Sequence, residues 1–301
     1  MILLIVFFYA VSPGGNFLDL RSIDSILTRA PEYGIVAIGV TFLTIAQEFD
    51  ISVGSVFTFC ALIASILKVS LQVDSLLCLG IVLIMGFIMG TINGLITLKL
   101  KIPSIITTLG TMYAWRGLAL IISQGMPVYY RQTTPFAGSL TNPLFGVIPA
   151  GILWFLGIAI FFAIILKYHK FGNSIRATGG NVFAAKSMGI NTDRVKILCF
   201  AILGLLVAFA AFLESTRIGE GSARLGNGYE FYAIAAVVIG GTPLSGGFGT
   251  IFGTFFAALM LEIIRTGLGI VGIPGWWFSV LVGVTIVVAM VVNNFIKRRM
   301  T

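Results

Sequence analysis

The sequence predicts an all-α fold, a polytopic helical membrane protein, and three observations support that prediction. Of the 301 residues, 58% are hydrophobic and only 10% are charged, with a mean hydropathy of +1.05. Ordinary soluble domains are about 45–50% apolar and about 25% charged. The apolar residues gather into runs near the ~20 residues that a helix needs to cross the hydrocarbon core. The charges sit mostly in short stretches between those runs. A soluble domain of this length would need a charged surface to stay dispersed, so lipid is the better solvent for this chain. No polar linker, low-complexity tract or charged tail divides it, and residues 1–301 read as a single transmembrane domain.

The elements follow in order. Met1–Val11 is apolar but only about half a span in length. It lacks the basic start of a signal peptide, and is expected to be the remainder of a first span or a segment lying against the bundle. Ile35–Ala46 and Ile51–Leu67 read as two spans separated by the polar stretch Gln47–Asp50. Leu76–Leu98, Ile102–Ile122, Val147–Leu166, Val195–Leu213 and Trp276–Phe295 are the clearest spans. Tyr232–Thr242 and Thr250–Ile264 are shorter and flank the glycine-rich GGTPLSGGFGT. Pro243 cannot continue a hydrogen-bonded helix, and the glycines reach dihedrals closed to other residues. A sharp turn is therefore expected there, between two half-depth helices, Ala233–Gly241 and Thr250–Ala258. The total is about ten membrane segments, some of them broken. Gly86, Gly90 and Gly94 repeat every four residues and predict a face for close helix packing.

Lysine and arginine set the orientation. With the first end inside, 11 of the 19 basic residues fall on the cytoplasmic side. They are Lys99 and Lys101, the cluster from Lys167 to Lys196, and Lys297 to Arg299. The outer loops receive Arg21, Arg29, Lys68, Arg131, Arg217, Arg224 and Arg265, with most of the acids, among them Asp24, Glu32, Glu214 and Glu220. Arg116 falls inside a span, where it is expected to snorkel or to meet a carbonyl.

Several function classes are excluded by residue inventory. The net charge of +8 does not point to nucleic acid, because the basic residues cluster in short loops between apolar runs. His169 stands alone, and Cys60, Cys78 and Cys199 have no C-x-x-C spacing, so no metal site is expected. There is no H-E-x-x-H or G-x-S-x-G, and neither a catalytic centre nor a cofactor is expected. GGTPLSGGFGT lacks the G-K-[ST] of a phosphate loop, which leaves the chain without a nucleotide site of its own.

Polar groups inside spans are functional candidates. Asp50 and Ser52 at the helix break, with Asn93, Thr107, Thr111 and Trp115, could offer hydroxyl, amide and aromatic surface to a passing polyol. Glu48 and Asp50 could equally cap the helix beginning near Ile51. Glu262 and Arg265, three apart, can pair along a helix. Ion sites at broken helices also occur in gradient-driven transporters, so an ion-gradient-driven secondary transporter stays open as the alternative.

The polar stretch NSIRATGGNVFAAKSMGIN, Asn173–Asn191, interrupts the apolar pattern. Asn181 can cap a helix, Val182–Met188 can form it, and Gly189 can end it in the left-handed conformation. Such a helix is roughly 10 Å long and too short to be stable alone in water. Ala184, Ala185 and Met188 give it an apolar side. From spacing alone it is either a connection packed on its own bundle or a rod for another protein.

This stretch resembles the cytoplasmic coupling loop of bacterial ABC-importer permeases. FDISVGS, Phe49–Ser55, is similar to the I-D-L-S-V-G-S of the ribose/monosaccharide branch, within the branched-chain amino acid/ribose-type permease superfamily. NGLITLKLKIPSIITTLGTMYAWRG, Asn93–Gly117, and AIAAVVIGGTPLSGGFGT, Ala233–Thr250, resemble two further segments of that branch, in the same order. Glu48 departs from the pattern, standing where the family usually has a small residue, and Tyr232 stands where it often has Asp. The resemblance implies an importer permease of the bacterial inner membrane for a ribose-like monosaccharide or related small polar solute. It implies a coupling loop within 168–195, where Gly180, Asn181, Ala184, Ala185, Met188 and Gly189 meet a separate ATPase subunit. It implies a second permease subunit, identical or paired, and an extracytoplasmic solute-binding protein docking on outer loops near Glu214, Arg217, Glu220 and Arg224.

Overall fold

A computed structural model describes residues 1–130 and 135–300, with side chains in the last helix as far as Val291; Arg131 lies outside the described residues. Helices α1 (Ile2–Val11) and α2 (Leu20–Ile45) are joined by a 3₁₀ turn, Pro13–Leu18. There follow α3 (Val53–Val69), α4 (Ser75–Lys99), α5 (Ser104–Ser123), α6 (Pro135–Thr141) and α7 (Ala150–Tyr168). Next come α8 (Lys170–Gly180), α9 (Val182–Ser187), α10 (Thr192–Ile218), α11 (Tyr229–Ile239), α12 (Ile251–Ile270) and α13 (Trp276–Met300). A short antiparallel pair, β1 (Val128–Tyr129) and β2 (Glu220–Gly221), sets Val128 opposite Gly221. The chain is a multi-pass helical membrane protein. Six of the described helices, α2, α4, α5, α7, α10 and α12, are long and apolar enough to span, and α1, α3, α11 and Trp276–Val291 of α13 are shorter apolar helices.

The core forms where apolar runs are covered on every side. α2 and α10 lie at the centre, with 72% and 67% of their apolar windows buried, against 17% for α5. α4 meets α10 through the predicted glycine face. A Cβ on Gly90 would stand 2.2 Å from the Phe200 carbonyl oxygen, and one on Gly204 would stand 2.1 Å from that of Gly86. The two helices therefore touch backbone to backbone, as small-residue faces allow.

Two boundaries differ from those the sequence suggests. α2 begins at Leu20 rather than Ile35, so Glu32 lies within a helix and not in an outer loop. Its charge does not end the helix because Arg217 of α10 pairs with it. α12 runs its full 20 residues instead of stopping at half depth. There Glu262, fully buried, has Arg265 at 3.8 Å, the expected pair, so these charges ride inside the helix. α11, at 11 residues, is short as expected. The turn between them brings Gly240 against Gly253, where a Cβ would meet the Gly240 carbonyl oxygen at 2.0 Å.

A second irregular stretch precedes α11. Residues 219–228 descend along α3 with no helix of their own. The Thr58 hydroxyl donates to the Leu225 carbonyl (2.5 Å), and Gly221 sits against Ala61 and Ser65. Bare backbone beside a membrane helix is tolerated when protein covers it, and here α3 covers one side.

Candidate functional site

The break between α2 and α3 is held by side chains from three other helices. Asp50, only 4% exposed, accepts at Oδ1 from the Ser52 amide (2.7 Å) and the Ser52 hydroxyl (2.6 Å). Asn93 Nδ2 of α4 donates to Asp50 Oδ2 (3.0 Å) and to Ser52 Oγ (2.8 Å). Asp50, Ser52 and Asn93 thus form one buried knot just ahead of the α3 N-terminus, whose dipole also favours a negative charge. The backbone of the break is satisfied by α5: Phe49 N–H donates to Ser104 Oγ and Ile51 N–H to Thr108 Oγ1, each at 3.2 Å. Glu48 meets Lys196 of α10 at 2.6 Å.

Thr107, Thr111 and Trp115 stand four apart along α5, apart from the knot. The Trp115 ring lies 6.0 Å from that of Phe59 on α3. Thr111 bonds to the Thr108 carbonyl (3.3 Å). Thr107 Oγ1, Trp115 Nε1, Asn93 Oδ1 and Ser55 Oγ are buried with no hydrogen-bond partner among the described residues. Polar atoms buried without partners carry a cost of about 1–3 kcal/mol each; Thr107 and Trp115 lie on α5, Ser55 on α3 and Asn93 on α4. Arg116 finds an amide oxygen, Asn227 Oδ1 at 3.0 Å.

A different polar network lies farther along α2. The Tyr229 hydroxyl lies within hydrogen-bond distance of Glu214 Oε2 (2.9 Å) and Glu32 Oε2 (3.0 Å), and Arg217 pairs with Glu32. Glu214 is buried, which removes it from any outer docking surface; Arg224 remains exposed and Glu220 half-buried. A cavity of about 200 Å³ bounded by α2, α6, α7 and α10 touches Glu32, Glu214 and Arg217. None of the six route candidates lines it.

The polar insert is two helices. α8 is capped by His169, whose Nδ1 accepts from the Phe171 amide (3.1 Å). α9 is capped as the sequence predicts: Asn181 Oδ1 accepts from the Ala184 amide (3.0 Å), and Gly189 takes φ +81°. Its apolar side is divided differently from expectation. Ala185 is 2% exposed and faces its own bundle, so it offers nothing to another protein. Ala184 is exposed, and with Phe183 at 84% and Met188 at 79% exposure it makes the outward face. Gly180 has open space around it, whereas Gly179 packs on the Ile45 carbonyl. Phe183 was legible as the largest apolar residue of a helix too short to bury both of its sides. The same end of the bundle carries the α4–α5 turn with Lys99 and Lys101, because Phe49 in the break reaches Ser104 at the start of α5.

Comparison with known proteins agrees with this architecture. A family model described as "Branched-chain amino acid transport system / permease component" matches residues 22–290. The ribose import permease protein RbsC of Escherichia coli (strain K12) is 32% identical over 302 residues, covering 98% of this chain and 91% of the relative. The ribose import permease protein of Haemophilus influenzae is 33% identical over 300 residues, again covering 98% and 91%. The autoinducer 2 import system permease protein LsrC of Photorhabdus luminescens is 32% identical over 287 residues, covering 94% of this chain and 84% of the relative. No solved structure matches the chain.

Proposed function

Because the chain belongs to the branched-chain amino acid transport system permease family, we propose that it is the membrane subunit of an ATP-driven importer for a ribose-like monosaccharide or related small polar solute. The observation that most supports this reading is α9, a capped helix of six residues that turns Phe183 and Met188 away from the bundle. Apolar side chains held outward at the basic end of the bundle suit a protein groove better than water or lipid. That end is the cytoplasmic one by the distribution of Lys and Arg. A separate ATPase subunit receives α9 there, with Ala184, Met188, Gly180 and Gly189 around the contact and Asn181 shaping it.

Residues 1–301 act as one transmembrane unit in a bacterial inner membrane. A second permease subunit completes the route, and a solute-binding protein delivers cargo from outside. The unpartnered hydroxyls and indole on the neighbouring helices α3 and α5, at Ser55, Thr107 and Trp115, offer hydrogen bonds to a polyol, with Thr111 also on α5. Asp50, Ser52 and Asn93 hold the break that precedes α3. The chain does no covalent chemistry; it biases which side is open, as a ligand or motor with differential affinity for two states must do. The test is uptake into vesicles containing the chain, its ATPase and its binding protein. Ribose should enter when ATP is supplied. Uptake driven equally well by an imposed proton or sodium gradient without ATP would replace this reading with a secondary transporter.

A further inference from the structure

The break at residues 46–52 is tied to more of the molecule than a connection requires. The carbonyl of Ile45, left free at the end of α2 as the last carbonyls of any helix are, accepts from the Gly247 amide at 2.9 Å. Gly179 of α8 lies against that same carbonyl, so closely that a Cβ there would stand 1.7 Å from the oxygen. Gln47 Nε2 donates to the Ser245 carbonyl at 2.5 Å. One residue on, Glu48 holds Lys196 at 2.6 Å, with 12% and 11% of the two side chains exposed. The remaining contacts of the break go to α5 and α4, the helices that carry Thr107, Thr111, Trp115 and Asn93.

We infer that Gly179, Glu48 and Lys196 are positioning residues of the transport cycle: they fasten α8 and the foot of α10 to the α2–α3 break, so that displacement of α9 reaches α4 and α5. This rests on the proposed reading of α9 as the ATPase contact. The physical grounds are continuity and lack of slack. α8 runs into α9 through Asn181 alone. A hydrogen on Gly179 lets α8 touch the α2 terminus, and any side chain would open a gap. The ion pair, poorly solvated, resists separation more than a surface pair does, and removing one partner leaves a buried charge. Glu48, the residue that departs from the family pattern, is explained by its partner on α10. A chain of packed contacts of this kind is what conveys coupling between distant sites.

The experiment uses the intact transporter in vesicles and records ATP hydrolysed and ribose imported together. Gly179→Ala and Glu48→Gln should assemble and hydrolyse ATP, yet import about tenfold less ribose per ATP, within the usual range of coupling factors. Combining Glu48→Lys with Lys196→Glu should recover most of the wild-type ratio. An unchanged ratio in the single variants, or a charge swap no better than either single change, overturns the inference. Should Gly179→Ala fail to accumulate, Glu48→Gln decides it on the same ratio. A wild-type transporter, assembled with its ATPase, that imports nothing on ATP overturns the proposed function itself, and this inference with it.

Discussion

Asp50 is a carboxylate kept inside the bundle by donors rather than by a neighbouring cation. Two bonds come from Ser52 and one from Asn93, and hydrogen bonds to a charged group are worth about 1.5–3 kcal/mol each. Replacing Asn93 with Leu should therefore lower the thermal midpoint of the purified protein and depress uptake, whereas Asn93→Gln should retain part of both. A differential scanning experiment in detergent checks the first effect, and an unchanged midpoint for Asn93→Leu would show that the knot contributes little. Each of these polar residues stood out in the sequence against an apolar background. That Asn93 meets Asp50 did not, because the meeting depends on the rotation of α4 about its axis. The Glu48–Lys196 pair was hidden for a related reason: its members are 148 residues apart. Ala185 shows the limit in the opposite sense. Its residue type suited an outward face, but the rotation of α9 turns it inward and presents Phe183.

Helix existence was legible wherever an apolar run approached span length, as for α4, α5, α7 and α10. Helix ends were misjudged wherever a charge lay inside a helix with a partner from another, as at Glu32, or from its own previous turn, as at Arg265. Local pattern cannot distinguish a buried paired charge from a loop residue, because the partner is distant or the burial is tertiary. The descending stretch at 219–228 was missed because glycine and polar residues look like any surface loop until α3 is placed beside them. The glycine face of α4 was legible as a period of four; its partner, Gly204 on α10, was supplied by the fold. Gly90→Val should destabilise strongly, since even a Cβ meets the Phe200 carbonyl at 2.2 Å. Gly80→Ala, on the same helix with nothing within 4 Å of a new Cβ, should be neutral or stabilising by up to about 1 kcal/mol. Thermal midpoints of the two variants make the comparison, and equal losses would mean that the close approach of α4 and α10 is not what the glycines serve.

At the scale of the whole molecule, the family assignment and the fold agree: a helical membrane unit with its polar knot and its outward-facing short helix at one end. The three cysteines, Cys60, Cys78 and Cys199, are buried, so a cysteine introduced at an exposed position can be addressed almost alone. The central claim is that α9 is where an ATPase grips this chain from the cytoplasm. The most direct measurement is chemical cross-linking from a Phe183→Cys variant in membranes that contain the partner ATPase. The account predicts a cross-link to the ATPase, together with protection of that cysteine from membrane-impermeant thiol reagents added outside intact cells. A cysteine at 183 that reacts readily from outside, or that never joins the ATPase in membranes actively importing ribose, would contradict it.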